Sequence, residues 1–248
     1  MDKAYYDQYA IAERSHWWFL GREKILSQMV DKYSAKDSKQ ELSILNIGAA
    51  TGRTSEWLSA FGSVTTSEFD PDCCEYLKQQ GVAVEQASMT ELPYADDSFD
   101  VVCAFDVIEH IDDHEMAMKE LKRVLKPEGR GYVSVPALMQ LWSDHDVINH
   151  HYRRYTRSEL EEVITKTGLN RVRLSYFNFV MFPLIYIVRR YVSKPSQNHN
   201  EAKSDFSSYK VGGATNAILK WLFSTERRWL RFANFPIGVS LLAVLSKK

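Results

Sequence analysis

Leu42-Ser43-Ile44-Leu45-Asn46-Ile47-Gly48-Ala49-Ala50-Thr51-Gly52-Arg53-Thr54 runs from a short apolar segment, through two glycines four positions apart, into a helical pattern. A parallel strand covered on both faces reads as a nearly continuous apolar run, which Ser43 to Ile47 provides. Gly48 then permits a close backbone approach, and Gly52 opens a helix whose free N–H groups favour an anionic group. A tight packing turn would use the same two glycines, so the residues downstream decide between the readings.

After a predicted helix from Thr54 to Phe61, Ser63 to Glu68 reads as a second strand ending in an acid. An acid at that strand end in a doubly wound sheet can accept hydrogen bonds from ribose hydroxyls. Glu68 has the strand-end position, whereas Asp70, just before Pro71, also fits the cap of a helix from Pro71 to Gln80. The spacing predicts further strands at Val82–Ala87, Phe99–Ala104, Gly131–Val135 and Arg171–Phe177, a helix over Arg157–Thr167, and a last strand over Phe235–Ser246.

With these segments in place, the chain resembles the class I S-adenosylmethionine-dependent methyltransferases, in their bacterial type 11 branch. The resemblance rests on LNIGAATG at Leu45–Gly52, on Glu68, on LPYADDSFDVVCAFDVIEH at Leu92–His110 and on LKPEGRGYVSVP at Leu125–Pro136. It implies a Rossmann-like, doubly wound, seven-stranded, mostly parallel α/β sheet and S-adenosyl-L-methionine as cofactor. It also implies cofactor contacts from Asn46, Gly48, Gly52, Glu68, Phe69, Ser88, Met89, Phe105 and Asp106. Asn46, the Ala49-Ala50 pair and Ser88 depart from the family's usual residues. They leave a catalytically weak or inactive S-adenosylmethionine-binding protein as the alternative to an enzyme. A dinucleotide loop of the GxGxxG type is excluded by Ala50.

A single domain is expected, with a helical lid over 1–40, a cofactor core and substrate loop over 41–178, a helical insertion over 179–234, and the last strand over 235–248. In the lid, His16-Trp17-Trp18-Phe19-Leu20-Gly21-Arg22 suggests Trp17 or Trp18 in the core and His16 or Arg22 toward the site, with His16 and Trp17 as substrate contacts. The loop beyond Pro136 belongs to the ligand-binding rim of such a sheet. It carries three histidines, two aspartates and two arginines between Ala137 and Thr156. Among these, His145, His151 and Tyr152 are the expected catalytic groups, an imidazole being a plausible general base near neutral pH. His150, Arg153 and Arg154 are the expected substrate contacts, the arginines for an anionic group. No metal is expected, because His145, Asp146, His150 and His151 match no established ligand spacing and two arginines adjoin them.

The formal net charge of −1 conceals a division: 14 Lys and Arg face 26 Asp and Glu in residues 1–149, but 17 face 6 in residues 150–248. With apolar segments around Arg189-Arg190 and Arg227-Arg228-Arg231, the insertion reads as a peripheral membrane contact, a cover for a lipid-linked acceptor, or a homodimer contact. A polar stretch from Ser193 to Ser208 reads as a linker. No nucleic-acid module is recognisable, so a small-molecule acceptor is expected. Three cysteines without a disulfide framework, and an N-terminus without an apolar leader, point to the cytoplasm.

Overall fold

The computed structural model describes residues 3–34, 41–192 and 212–247; the expected linker at Ser193–Ser208 lies outside them. Seven strands form one sheet in the order β3-β2-β1-β4-β5-β7-β6. They are β1 (Leu42–Ile47), β2 (Gly62–Glu68), β3 (Glu85–Gln86), β4 (Phe99–Phe105), β5 (Leu125–Pro136), β6 (Asn170–Phe177) and β7 (Ser240–Ser246). Only β7 runs antiparallel to its neighbours β5 and β6. The chain order reverses between β1 and β4, so the crevice beyond the carboxyl ends of these two strands is the topological switch point.

Alternation along the strands divides the core. Leu45, Ile47, Val102, Ala104, Val133 and Val135 face one side, where they meet Leu121 and Val124 of α5 (His114–Val124) and Leu160 and Ile164 of α7 (Arg157–Lys166). Ile44, Val101, Cys103, Phe105 and Tyr132 face the other, against Ile25, Leu26 and Met29 of α2 (Trp17–Ser34) and Phe223 and Leu230 of α9 (Gly213–Leu230). Every residue of β4 is buried, and its one charged member, Asp100, is met by Lys126 and by the Ser43 hydroxyl, each at 2.9 Å.

The N-terminal segment forms α1 (Lys3–Ser15) and α2, with the insertion helix α9 laid along α2. Gly21 makes that approach possible, since a β-carbon there would collide with the Phe223 ring. Phe223 is fully buried and stacks on Phe177 at 6.3 Å, so truncating it to alanine would cost about 3–5 kcal/mol. Carbonyls at the end of α9 accept from Gln28 (Arg227 O, 2.7 Å) and Lys32 (Arg231 O, 2.6 Å).

Three expected strands are corrected, the last of them, drawn from Phe235, beginning only at Ser240. Val82–Ala87 shrinks to Glu85–Gln86, because Val82 and Val84 turn instead into the cluster of Tyr6, Tyr76 and Leu77. The fifth strand begins six residues early at Leu125, which pairs with Phe99 across a bulge before the regular register of Val101 with Arg130. The helix predicted from Arg157 starts there, under a reciprocal capping box between Thr156 and Glu159.

Candidate active site

Four strand ends at one rim lead into left-handed backbone: Gly48 after β1, Asp106 after β4, Leu138 just beyond β5 and Asn178 after β6. Such conformations in non-glycine residues persist only where surrounding contacts impose them. Gly48 is required twice over: its φ is +73°, and a β-carbon would lie 2.5 Å from Val107 Cγ2, so the loop after β4 rests on the loop after β1.

Glu68 links the second strand to the glycine loop. One carboxylate oxygen accepts from the Ala50 N–H at 3.1 Å, and the other from Phe69 and Asp70 N–H at 2.8 and 3.1 Å. Asp70 caps α4 (Pro71–Gln79), accepting from Asp72 and Cys73 N–H at 2.8 and 3.0 Å. The two acids therefore have different work. Asn46 lies below the loop, 1% exposed, with its amide donating to Ser55 Oγ at 2.9 Å. This bond supports the turn. Met89 is buried in the core, Ser88 bonds to Thr90, and Phe69 is 69% exposed.

The first two helices close over this rim. Glu13 of α1 is buried and accepts from the Thr51 hydroxyl of the glycine loop; burial raises its pKa to about 7 against the lowering by that bond and nearby arginines. On α2, Arg22 pairs with Asp106 at 2.5 Å and lies over the Trp18 and Phe105 rings at 5.4 and 5.8 Å. Asp106 is held from behind by the Ser134 hydroxyl at 3.1 Å. Arg53 grips Glu23 with two bonds of 2.9 Å, tying α2 to α3 (Arg53–Leu58). Trp17, expected to contact substrate, instead packs edge-on against Phe223 at 5.9 Å, and its backbone N–H donates to the Asn216 side-chain oxygen of α9 at 2.8 Å. His16 accepts from the Trp18 N–H, and burial lowers its pKa.

The loop beyond β5 is organised by one buried carboxylate. Asp146, on the short helix α6 (Asp144–Ile148), accepts from Arg154 Nε and Nη2 at 2.8 and 2.9 Å, from Ser143 N–H at 2.8 Å, and pairs with His151 Nδ1 at 2.8 Å. Burial pushes its carboxyl up, but the bonds from His151 and Arg154 and the Arg154 charge outweigh burial and hold it well below the ordinary range. Arg154, expected to orient an anionic substrate, thus has its anion within the chain. Arg153 donates to the Ile111 and Asp112 carbonyls at 3.0 Å, so it straps the loop to the segment after β4. Tyr152 is 59% exposed with its ring near the Arg153 guanidinium, His150 is exposed, and His145 meets the Asn149 amide.

Two residues that sequence reading did not single out complete the group. Glu109 and His110 form a single 3-10 turn with Ile108 just after Asp106. Ligand atoms of Glu109, His110 and His151 lie within 4.8 Å of one another. Burial, then the charge of Asp106, raises the Glu109 carboxyl well above its ordinary value. The legible signal was position: both residues follow a strand end at the rim of the switch point, although 41 residues separate His110 from His151.

The chain is similar to several methyltransferases. Residues 45–133 match the family described as methyltransferase domain. A "Probable S-adenosylmethionine-dependent methyltransferase" of Mycobacterium tuberculosis is 27% identical over 158 residues, 62% of this chain and 56% of that protein. A ubiquinone biosynthesis O-methyltransferase of Rhizobium leguminosarum is 28% identical over 149 residues, 52% of this chain and 59% of that protein. The chain thus spans little more than half the length of these curated relatives. The crystal structure of an S-adenosylmethionine-dependent methyltransferase of Thermotoga maritima, described as a possible histamine N-methyltransferase, superposes with a TM-score of 0.57 at 17% identity. That superposition covers 98% of both chains and carries the fold.

Proposed function

We propose that this chain is a class I S-adenosylmethionine-dependent methyltransferase of the type 11 kind and transfers the methyl group of S-adenosylmethionine to a small-molecule acceptor. The observation that carries the reading is the convergence at the switch point of the glycine loop, the strand-end acid Glu68 and the Asp106 turn under a helical lid. Gly48 and Gly52 leave room for the cofactor's methionine end, and Glu68 accepts from its ribose hydroxyls. Ser88 and Met89 flank the adenine. Phe105, Asp106 and Arg22 close the end where the sulfonium reacts.

The chemistry asks little beyond placement. The acceptor's lone pair attacks the methyl carbon as the sulfur takes back its bonding pair, leaving S-adenosylhomocysteine. Holding the nucleophile in line with that bond supplies most of what such a displacement requires. The acceptor's proton leaves toward the Glu109, His110 and His151 group, where Asp146 fixes the His151 tautomer. Incubation with methyl-labelled cofactor and candidate acceptors tests turnover, and cofactor that binds without label ever leaving it would support the inactive alternative.

An apolar or lipid-linked acceptor is favoured by the exposed apolar side chains of α8 (Phe182–Ile187) and, separately, of α9 and the residues just after it. Leu184, Ile187, Trp221, Trp229 and Phe232 are between 52% and 87% exposed there, close in sequence to Arg190, Arg227, Arg228 and Arg231. No helix among the described residues is long and apolar enough to cross a membrane. These exposed side chains suit the surface of an anionic bilayer, where apolar burial and charge attraction act together. Flotation with anionic but not neutral liposomes supports this. No flotation with either leaves these side chains as an acceptor cover or a contact with a second copy.

A further inference from the structure

We propose that Glu109, His110 and His151 form a binding site for a divalent first-row transition-metal cation on the acceptor side of the cleft.

Glu109 provides the first reason. It is fully buried, and neither carboxylate oxygen has a hydrogen-bond partner. The four other buried carboxylates among the described residues all have partners: Glu13 has Thr51, Asp100 has Lys126 and Ser43, Asp146 has Arg154, and Glu226 has the Val180 N–H. A buried carboxyl whose two oxygens lack hydrogen-bond partners is costly, and a cation held by them would remove that cost.

The two imidazoles provide the second. Their rings meet edge to face with centroids 4.5 Å apart, without a hydrogen bond between them. Asp146 takes the Nδ1 side of His151 at 2.8 Å, which leaves Nε2 as the available donor atom. Asp146 is in turn fixed by Arg154 and Ser143. A carboxylate behind a histidine is the usual means of orienting a metal-ligating imidazole.

The dimensions and donor types agree. Donors about 2.0–2.2 Å from a tetrahedral ion sit roughly 3.4 Å apart, so atoms already within 4.8 Å need only small side-chain rotations. Two nitrogens and one carboxylate suit zinc, cobalt, manganese or iron better than magnesium or calcium, and leave one position for an external ligand. The arginines do not oppose the ion, because Arg154 is neutralised by Asp146 and Arg153 is directed to the Ile111 and Asp112 carbonyls. Of the histidines and carboxylate weighed from sequence, only His151 is a ligand; Asp146 stands behind it.

On the methyl-transfer reading, on which this extension rests, the open position would take an acceptor hydroxyl, and the three groups, once bound to the ion, would orient the hydroxyl rather than take its proton. The ion would favour loss of its proton to water, and the resulting oxygen anion would displace the sulfur from the methyl carbon.

The test uses the full chain after chelator treatment and removal of chelator. It is titrated with Co2+ and followed by visible absorption and calorimetry, with S-adenosylmethionine binding measured separately on the same sample. The expected result is one Co2+ per chain with ligand-field bands of nitrogen and oxygen coordination, competed by Zn2+. Glu109→Gln and His151→Ala should each weaken binding at least tenfold, while His145→Ala and Cys73→Ser leave it within about threefold. A thermal melt of each variant identifies any loss of fold. No Co2+ binding up to about 1 mM by protein that still binds S-adenosylmethionine overturns the proposal, as does binding unchanged in folded Glu109→Gln and His151→Ala. Co2+ bound through these residues by a chain that fails to bind S-adenosylmethionine would keep the metal site and remove the methyltransferase reading.

Discussion

Replacing Asp146 by alanine should destabilise the protein more than any single change on the exposed surface of the same loop. Asp146 is fully buried and Arg154 is 5% exposed, so the pair is screened little by water. The carboxylate takes two bonds from the guanidinium, one from the Ser143 N–H and one shared with His151. Without it, Arg154 keeps the Ala137 carbonyl at 3.2 Å but loses its counter-charge. Breaking a buried pair this way costs about 3–5 kcal/mol. For a chain of 248 residues that corresponds to a fall in Tm of about 6–20 °C. The double variant Asp146→Leu/Arg154→Met removes both charges and should recover most of the loss. Calorimetric melts of wild type and both variants provide the assay. Asp146→Ala melting within about 2 °C of wild type, or a double variant no better than the single, would refute the reasoning. The same pair predicts acid sensitivity. The folded carboxyl is held below its unfolded value near 3.9, so its stabilisation is complete above that pH and is lost as pH falls toward the folded pKa.

Glu68→Ala should weaken S-adenosylmethionine affinity about 10- to 100-fold through loss of a charged acceptor, whereas Asp70→Ala should mainly cost about 1 kcal/mol of stability through the α4 cap. Equal effects of the two on a calorimetric titration would show the ribose acid to be misassigned. Gly48→Val should abolish cofactor binding and also lower Tm, because the added side chain meets Val107 at a left-handed φ; retained affinity would undo the loop's assignment. Glu13 holds its proton up to about pH 7 only while α1 is docked, so undocking releases a proton and docking weakens as pH rises from about 4.5 to 7, by on the order of 3 kcal/mol. Hydrogen exchange of α1 should quicken across that window in wild type and lose the dependence in Glu13→Gln.

The fold was legible where one pattern had one meaning. The mainly apolar runs of β1 and β4, short and bounded by turn residues, read as buried strands, and Thr156 with Glu159 marks a helix start that the structure reproduces. β3 was overdrawn because Val82 and Val84 pack as a satellite cluster, a contact that local alternation does not distinguish from strand pairing. The substrate loop misled for a related reason. Its charged residues were read as facing a ligand, but Arg154 and Asp146 satisfy one another, and Arg153 bonds to carbonyls more than 40 positions away. Glu109 and His110 were missed because their partner His151 comes from another strand's loop, and only the parallel order of β4 and β5 brings the two loops together.

The account turns on whether the rim of β1, β2 and β4 binds the cofactor. Titration calorimetry of the full chain with S-adenosylmethionine and with S-adenosylhomocysteine measures this directly. One molecule bound per chain, with affinity reduced by Glu68→Ala and little changed by Asp70→Ala, is the predicted result. No heat of binding from folded protein with either ligand up to about 1 mM would contradict it.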